Sequence, residues 1–217
     1  SGWTKLDTAD QFNGPGYGEN SNVKVNNSFL ETDYYGFDID IAGNGSRRVL
    51  AISSPGIGGL QPKWDYKDTR TGKVFVYENN GDRWELLGND GISGTEVYDA
   101  SHQFGRSIAI SDDGYTVIAG SPMSWKGGNG SGQSNLFKYD IDTESWFLEK
   151  EIIGGQIFNE AGSSVSISSD GSVFAVGATS YDHGKVDTGQ IQVFASRRAS
   201  IAVTTQGTNG SIDIDEG

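Results

Sequence analysis

The residues able to move a proton or hold a metal are few. His102 and His183 are the two histidines. His183 stands in SYDHGKVDTG with Asp182 and Asp187 close by, an imidazole and two carboxylates that would make a weak metal site. Two or three ligands in one polar loop describe a solvated loop better than a metal centre. His102 lies two residues before Phe104, at a place where a turn or cap is expected. Asp38 and Asp40 alternate in GFDIDI, so a strand puts both carboxylates on one side. That layout could make a paired-carboxylate site, but such a pair is more often a solvated strand face. No serine occupies a G-x-S-x-G elbow, and no phosphate-binding glycine fingerprint appears in a strand–turn–helix setting. The other chemistry is recognition. Trp64 and Tyr66 in KWDYKD, Trp125 and Lys126 in MSWKGG, and Tyr181 and His183 in SYDHG combine aromatic and charged side chains in loops, as protein or sugar binding does. These six form the expected ligand-binding face. No catalytic residue and no metal site are assigned.

The elements that must position those loops repeat. YGFDIDIAGNGSRRVLAISSP (35–55), FGRSIAISDDGYTVIAGSP (104–122) and AGSSVSISSDGSVFAVGATS (161–180) each run from an aromatic or alanine through glycine into an alternating strand, a turn and a second apolar strand. The turn residues Asn44-Gly45, Asp113-Gly114 and Asp170-Gly171 suit two-residue type I′ hairpins. A third strand follows each pair: GKVFVY (72–77), SNLFKY (134–139) and GQIQVF (189–194). A fourth begins at tryptophan in RWELLG (83–88) and SWFLEK (145–150), and GWTKLD (2–7) is left at the N-terminus to complete the last set. Trp3, Trp84 and Trp146 hold one fixed place in this pattern and are expected in the core. The loops bearing the recognition residues all follow the second strand, so they share one face. Four strands per unit at this spacing predict radial blades.

With Phe104-Gly105 and Ala119-Gly120-Ser121-Pro122, the degenerate Ser53-Ser54-Pro55 and Gly177-Ala178-Thr179, and the strands Val74–Tyr77 and Ile191–Phe194, the chain resembles the FG-GAP repeats of integrin-α-type β-propellers. Tyr35-Gly36 and Ala161-Gly162 depart from the FG dipeptide. The resemblance implies an all-β fold of four-stranded antiparallel blades, about three in this chain: about 35–88, about 104–150, and about 161–194 with the N-terminal strand 2–7. It also implies a role in adhesion or extracellular interaction. Calcium-binding blades of that family carry a D-x-[DN]-x-[DN]-G loop. Here Ser111 and Ala109 precede Asp113, Ser168 and Ser166 precede Asp170, and Ala42 and Asp40 precede Asn44. Calcium is not carried over, and no cofactor is expected.

Propellers close with roughly 4–8 blades, so three do not make a ring. The chain is expected to be a piece of a longer propeller, half of a six-bladed ring of two chains, or an open arc whose ends another protein covers. Residues 8–34 form a long polar insertion, and 196–217 a tail in which IAVTTQG alternates like a strand and SIDIDEG is expected to fray. The 217 residues hold 32 Gly, 4 Pro and no Cys, with a net charge of −13. That balance disfavours nucleic-acid backbone binding and docking by bulk charge on an anionic membrane. No apolar run is long enough to span a bilayer. Sequons at Asn26, Asn44, Asn129 and Asn209 point to a secretory route, extracellular or into an organelle lumen. The function expected is non-enzymatic recognition of a protein or glycan, or assembly through the open ends. A structural subunit of a large complex is the near alternative. A propeller glycan hydrolase or lyase is the distant one, because the strands that would line a channel read Ser, Ala, Ile and Val.

Overall fold

The computed structural model describes residues 34–44, 47–55, 72–79, 84–88, 90–94, 103–182, 188–196 and 212–215. Among them there is no helix, so none is long and apolar enough to cross a membrane. The strands fall into three sheets in chain order. The first holds β1 (Ile39–Asn44), β2 (Arg47–Ser54), β3 (Lys73–Asn79) and β4 (Trp84–Leu86) side by side, with β5 (Ile92–Ser93) on the far end of β3. The second holds β6 (Ser107–Ile110), β7 (Thr116–Ser121), β8 (Gln133–Asp140) and β9 (Ser145–Ile153). The third holds β10 (Ala161–Ile167), β11 (Val173–Ala178), β12 (Gln190–Ala195) and β13 (Ile212–Asp215). All pairings are antiparallel except β12 with β13, which is parallel.

The sheets stack, and the middle one is buried on both faces. Ile108, Ile110, Val117, Ala119 and Phe137 of the second sheet join Val49, Ala51, Val74 and Val76 of the first in one core. Ala109, Ile118, Leu136 and Ile152, from the other side of the same strands, join Phe174, Val176, Ala178 and Phe194 of the third sheet in another. Alternation along each strand sends successive side chains into different cores. This is why β6 and β7 are buried along their whole length, whereas β11 of the third sheet alternates between buried and half-buried residues.

Each sheet is entered by the same turn. Phe37, Arg106 and Ser163 donate their N–H groups to the carbonyls of Tyr34, Gln103 and Glu160 at 3.0, 3.0 and 3.1 Å. The third residue of each turn is glycine, with φ of 83°, 86° and 89° at Gly36, Gly105 and Gly162. A type II turn demands that conformation there. The same glycines close the joints between sheets. A Cβ on Gly162 would stand 3.0 Å from Gly120 Cα, and one on Gly120 would stand 2.1 Å from the Gly162 carbonyl oxygen. In the first joint Gly105 approaches Ser53, which holds the place of Gly120, at 3.1 Å by the same measure.

Three expectations are corrected. The turns at Asp113-Gly114 and Asp170-Gly171 are not two-residue type I′ loops, since of the two central residues only the glycine has positive φ. Each is a four-residue loop: Ser111 and Ser168 bond Thr116 and Val173 across it, and Gly114 and Gly171 donate back to Ser111 and Ser168. Trp84 and Trp146 are half-buried rather than core residues, because each sits on the last strand of its sheet. Trp146 covers the rim of the first core and donates Nε1–H to the Leu87 carbonyl at 2.9 Å. The place beside β12 is taken by Ile212–Asp215, from the acidic segment expected to fray. The N-terminal strand 2–7 with Trp3, and the 8–34 insertion, lie outside the described residues.

Candidate recognition face

The connections that follow β7 and β11, and the link from β9 to β10, emerge at one end of the stack. Trp125 and Lys126 lie in the first, residues 122–132, and Tyr181 lies in the second. Trp64, Tyr66 and His183, with His102 and Asp187, lie outside the described residues.

The 122–132 loop is held by its own polar groups. The buried Ser124 hydroxyl donates to Gln133 Oε1 at 3.0 Å, and the Ser124 carbonyl accepts from Gly132 N–H at 3.0 Å. Gly127 N–H donates to Ser131 Oγ at 3.1 Å. The Gln133 amide then donates to Asn135 Oδ1 and Glu151 Oε1, both at 2.7 Å. Glu151 also takes the Lys126 ammonium at 2.6 Å. Buried amides demand such partners, and satisfying them in a closed network fixes the loop. Lys126 is therefore tied to the loop's base. Its pairing is partly exposed and contributes under about 1 kcal/mol.

The link 154–160 lies against this loop. Phe158 and Glu160 donate N–H groups to the carbonyls of Asn129 and Gly130 at 2.8 and 3.0 Å. Gly128 and Gly130 leave room for Ile157 and Phe158, whose side chains a Cβ at either glycine would meet. The outcome is a set of exposed apolar side chains: Met123, Trp125, Ile157 and Phe158. The next residue, Asn159, is buried, and its Oδ1 has no partner among the described residues. Glu160 ties the face to the third sheet, accepting from Thr179 Oγ1 at 2.9 Å and Ser180 Oγ at 3.2 Å. Tyr181 is half-buried against the second core, and its carbonyl accepts from Gly189 and Thr188. It braces the loop.

The sequence singles out Trp125 and not Ile157 or Phe158, which the structure exposes beside it. The only signal was an apolar pair inside the glycine-rich link GGQIFNE.

The acid pair is engaged by the neighbouring sheet. Asp38 Oδ2 accepts the N–H of Ile108, and Asp40 Oδ2 that of Ile110, both at 2.8 Å. The two carboxylates cap the free edge of β6. At the opposite end of the stack, Asp170 accepts from Ser168 Oγ at 2.7 Å and from Ser172 N–H and Oγ at 3.0 and 2.7 Å. Those donors favour the charged form and hold its pKa at about 2. Asp113 closes its turn in the same way, accepting from Ser111 Oγ and Tyr115 N–H. Among the described residues no three histidines or carboxylates gather as a metal would need. Asn129 is exposed, the Asn44 backbone ends β1, and Asn26 and Asn209 lie outside the described residues.

No protein-family model and no curated protein matches the chain. Among solved structures the chain is similar to Kuenenia stuttgartiensis Hydrazine Synthase, at 11% identity and a TM-score of 0.40. The match covers 74% of this chain and 45% of that one, so the chain spans under half that structure's length. A likeness of this size carries no argument about fold or activity.

Proposed function

We propose that this chain is a non-enzymatic recognition module built of FG-GAP-type β-propeller blades. Three features support the blades. Each sheet sets four strands side by side in chain order, with β5 added to the first, the first strands lie together (β1 by β6, β6 by β10), and one glycine joint recurs between sheets. The module holds a protein or a glycan at the loop end, outside the cell or in a secretory compartment. One observation carries the binding role: Trp125, Phe158, Ile157 and Met123 stand exposed on a loop pair whose own polar groups are bonded to one another. An apolar aromatic cluster on a fixed base is what a binding hot spot needs.

A glycan array probed with the labelled wild type and with Trp125→Ala/Phe158→Ala tests this reading, together with a pull-down of extracellular proteins by the same two baits. Saturable capture of a glycan or protein that falls at least tenfold in the variant is expected. Capture unchanged by the double substitution would sink the assignment of the face. Shortening of any array glycan on incubation would sink the non-enzymatic reading.

A further inference from the structure

The joint between sheets is made twice inside the chain, and each end of the stack carries one unused half of it. In the second sheet Ile108 and Ile110, on the side facing the first sheet, are 6% and 5% exposed. Their counterparts three and five residues after the turn glycine of the first sheet, Ile39 and Ile41, are 63% and 67% exposed. Leu50 and Tyr77 continue this outer face, since Ile41 pairs with Leu50 and Leu50 with Tyr77, and paired residues share a side. Ile52 and Phe75 lie on the same side and are already buried, with the Tyr35 ring 5.7 Å from Phe75, so the open part of the face is Ile39, Ile41, Leu50 and Tyr77. Both are half-buried where Val117 and Phe137, at the same places in the second sheet, are buried. Among the described residues Gly36, the turn glycine of this sheet, has nothing within 4 Å of a Cβ built on it, whereas Gly105 and Gly162 each meet the preceding sheet.

The third sheet shows the opposite half. Gly177 holds the place of Gly120, which must be glycine because the Gly162 carbonyl lies against it. A Cβ on Gly177 meets only its own sheet's Ser164 within 3.7 Å, first of all the Oγ at 2.4 Å, a hydroxyl free to turn away. Ala175, Ile191 and Val193 share its side of the sheet and are half-buried or exposed, where Ile118, Ser134 and Leu136 of the second sheet are buried.

We infer that the outer face of the third sheet receives the outer face of the first sheet of a second copy of this chain. The two contacts made this way close one ring of six sheets. The occupant is a second copy because both halves of one joint stand unused on a single chain, and two internal joints show that these halves fit. Two unlike faces on one chain give a head-to-tail contact, which must either close or propagate. Two copies of three sheets reach a blade number at which rings close. The inference rests on the blade reading above and is independent of the ligand reading.

The test is the native mass of the full chain by light scattering after size exclusion, over a hundredfold range of concentration, with two variants. Gly177→Val fills the half-joint on the third sheet, and Ile41→Lys charges the half-joint on the first. The wild type is expected at twice 23.2 kDa, independent of concentration, and each variant at half that mass. An equimolar mixture of the two variants is expected to form a pair again, because one intact joint remains between them. A wild-type monomer, a mass that grows with concentration, a dimer that survives either substitution, or a failure of the mixture to pair overturns the inference. Small-angle scattering of the Ile41→Lys monomer separates this failure from failure of the blades. A profile matching the three-sheet stack leaves the blades standing whatever the mass result, and a mismatch removes them.

Discussion

Replacing Asp40 by alanine removes the acceptor for the Ile110 N–H without touching either core. Ile110 is 5% exposed, so water does not replace the lost 2.8 Å bond. A buried donor left unsatisfied costs about 1–3 kcal/mol, and a charge-assisted bond lies toward the upper end. In a chain of this size each kcal/mol lowers Tm by roughly 2–4 °C. Asp40→Asn keeps a side-chain oxygen in reach and is expected to cost less than half as much. Asp38→Ala has the same consequence at Ile108 N–H. The two losses are not additive, because both caps hold one strand. Urea unfolding of the three variants gives the energies. Amide hydrogen exchange locates them, since protection should fall at Ile110 for Asp40→Ala, fall at Ile108 for Asp38→Ala, and persist at Ile118 for both. Equal stability of Asp40→Ala and Asp40→Asn, with unchanged exchange at Ile110, would refute the capping role and return the pair to the list of possible catalytic groups.

Three further outcomes are expected. Phe104→Ala removes a ring that is 1% exposed and meets Phe137 edge-on at 5.8 Å between the first two sheets, so urea unfolding should report a loss of about 3–5 kcal/mol; a loss below about 1 kcal/mol would contradict the packing. Gly120→Ala drives a methyl into the Gly162 carbonyl and forces the second and third sheets apart, costing about 1–3 kcal/mol, with altered near-ultraviolet dichroism as the check. The Asp170 carboxyl should titrate near pH 2 by NMR rather than at the ordinary 3.8, and Ser168→Ala should move it upward. Because the folded pKa is the lower one, Asp170 stabilises the fold above the unfolded pKa, and that contribution is lost as pH falls from about 4 toward 2. A midpoint near 3.8 would show that the turn is open.

The repeat was legible because its signals are local: alternation gives the strands, and glycine at fixed places gives the turns. The type of turn was misread for a local reason too. Asp-Gly alone indicates a two-residue loop, but the serine two places before the aspartate, Ser111 and Ser168, supplies the bond that stabilises the four-residue form. The alternation of Asp38 and Asp40 was read correctly and their partners were not, since the N–H groups they accept lie 70 residues away in sequence. The same distance problem hides the pairing of β12 with Ile212–Asp215, whose acidity points to a frayed end more strongly than its alternation points to a strand. Phe158 escaped notice because a link between sheets has no period to test. Its exposure follows from Gly128 and Gly130 across the loop, which no spacing rule connects to it.

The acid pair shows how stacked sheets manage their free edges. β6 pairs with β7 on one side only, so its other side presents backbone donors that would template a further strand. The preceding sheet answers with side chains from its own first strand, Asp38 and Asp40, which occupy those donors and join the two sheets in the same contact. At the next joint Ser107 holds the place of Asp38, and its hydroxyl donates to the Gly162 carbonyl at 2.9 Å. The chemistry changes from acceptor to donor, and the direction stays the same: first strand of one sheet to the entry of the next. A carboxylate pair on the first strand of such a sheet is therefore to be tested as an edge cap before it is assigned to catalysis. Ser164 and Ser166, the counterparts of Asp38 and Asp40 on the third sheet, are the polar groups a following sheet would meet. On this argument their replacement by valine should leave the isolated chain folded and abolish pairing, while replacement by aspartate should preserve it.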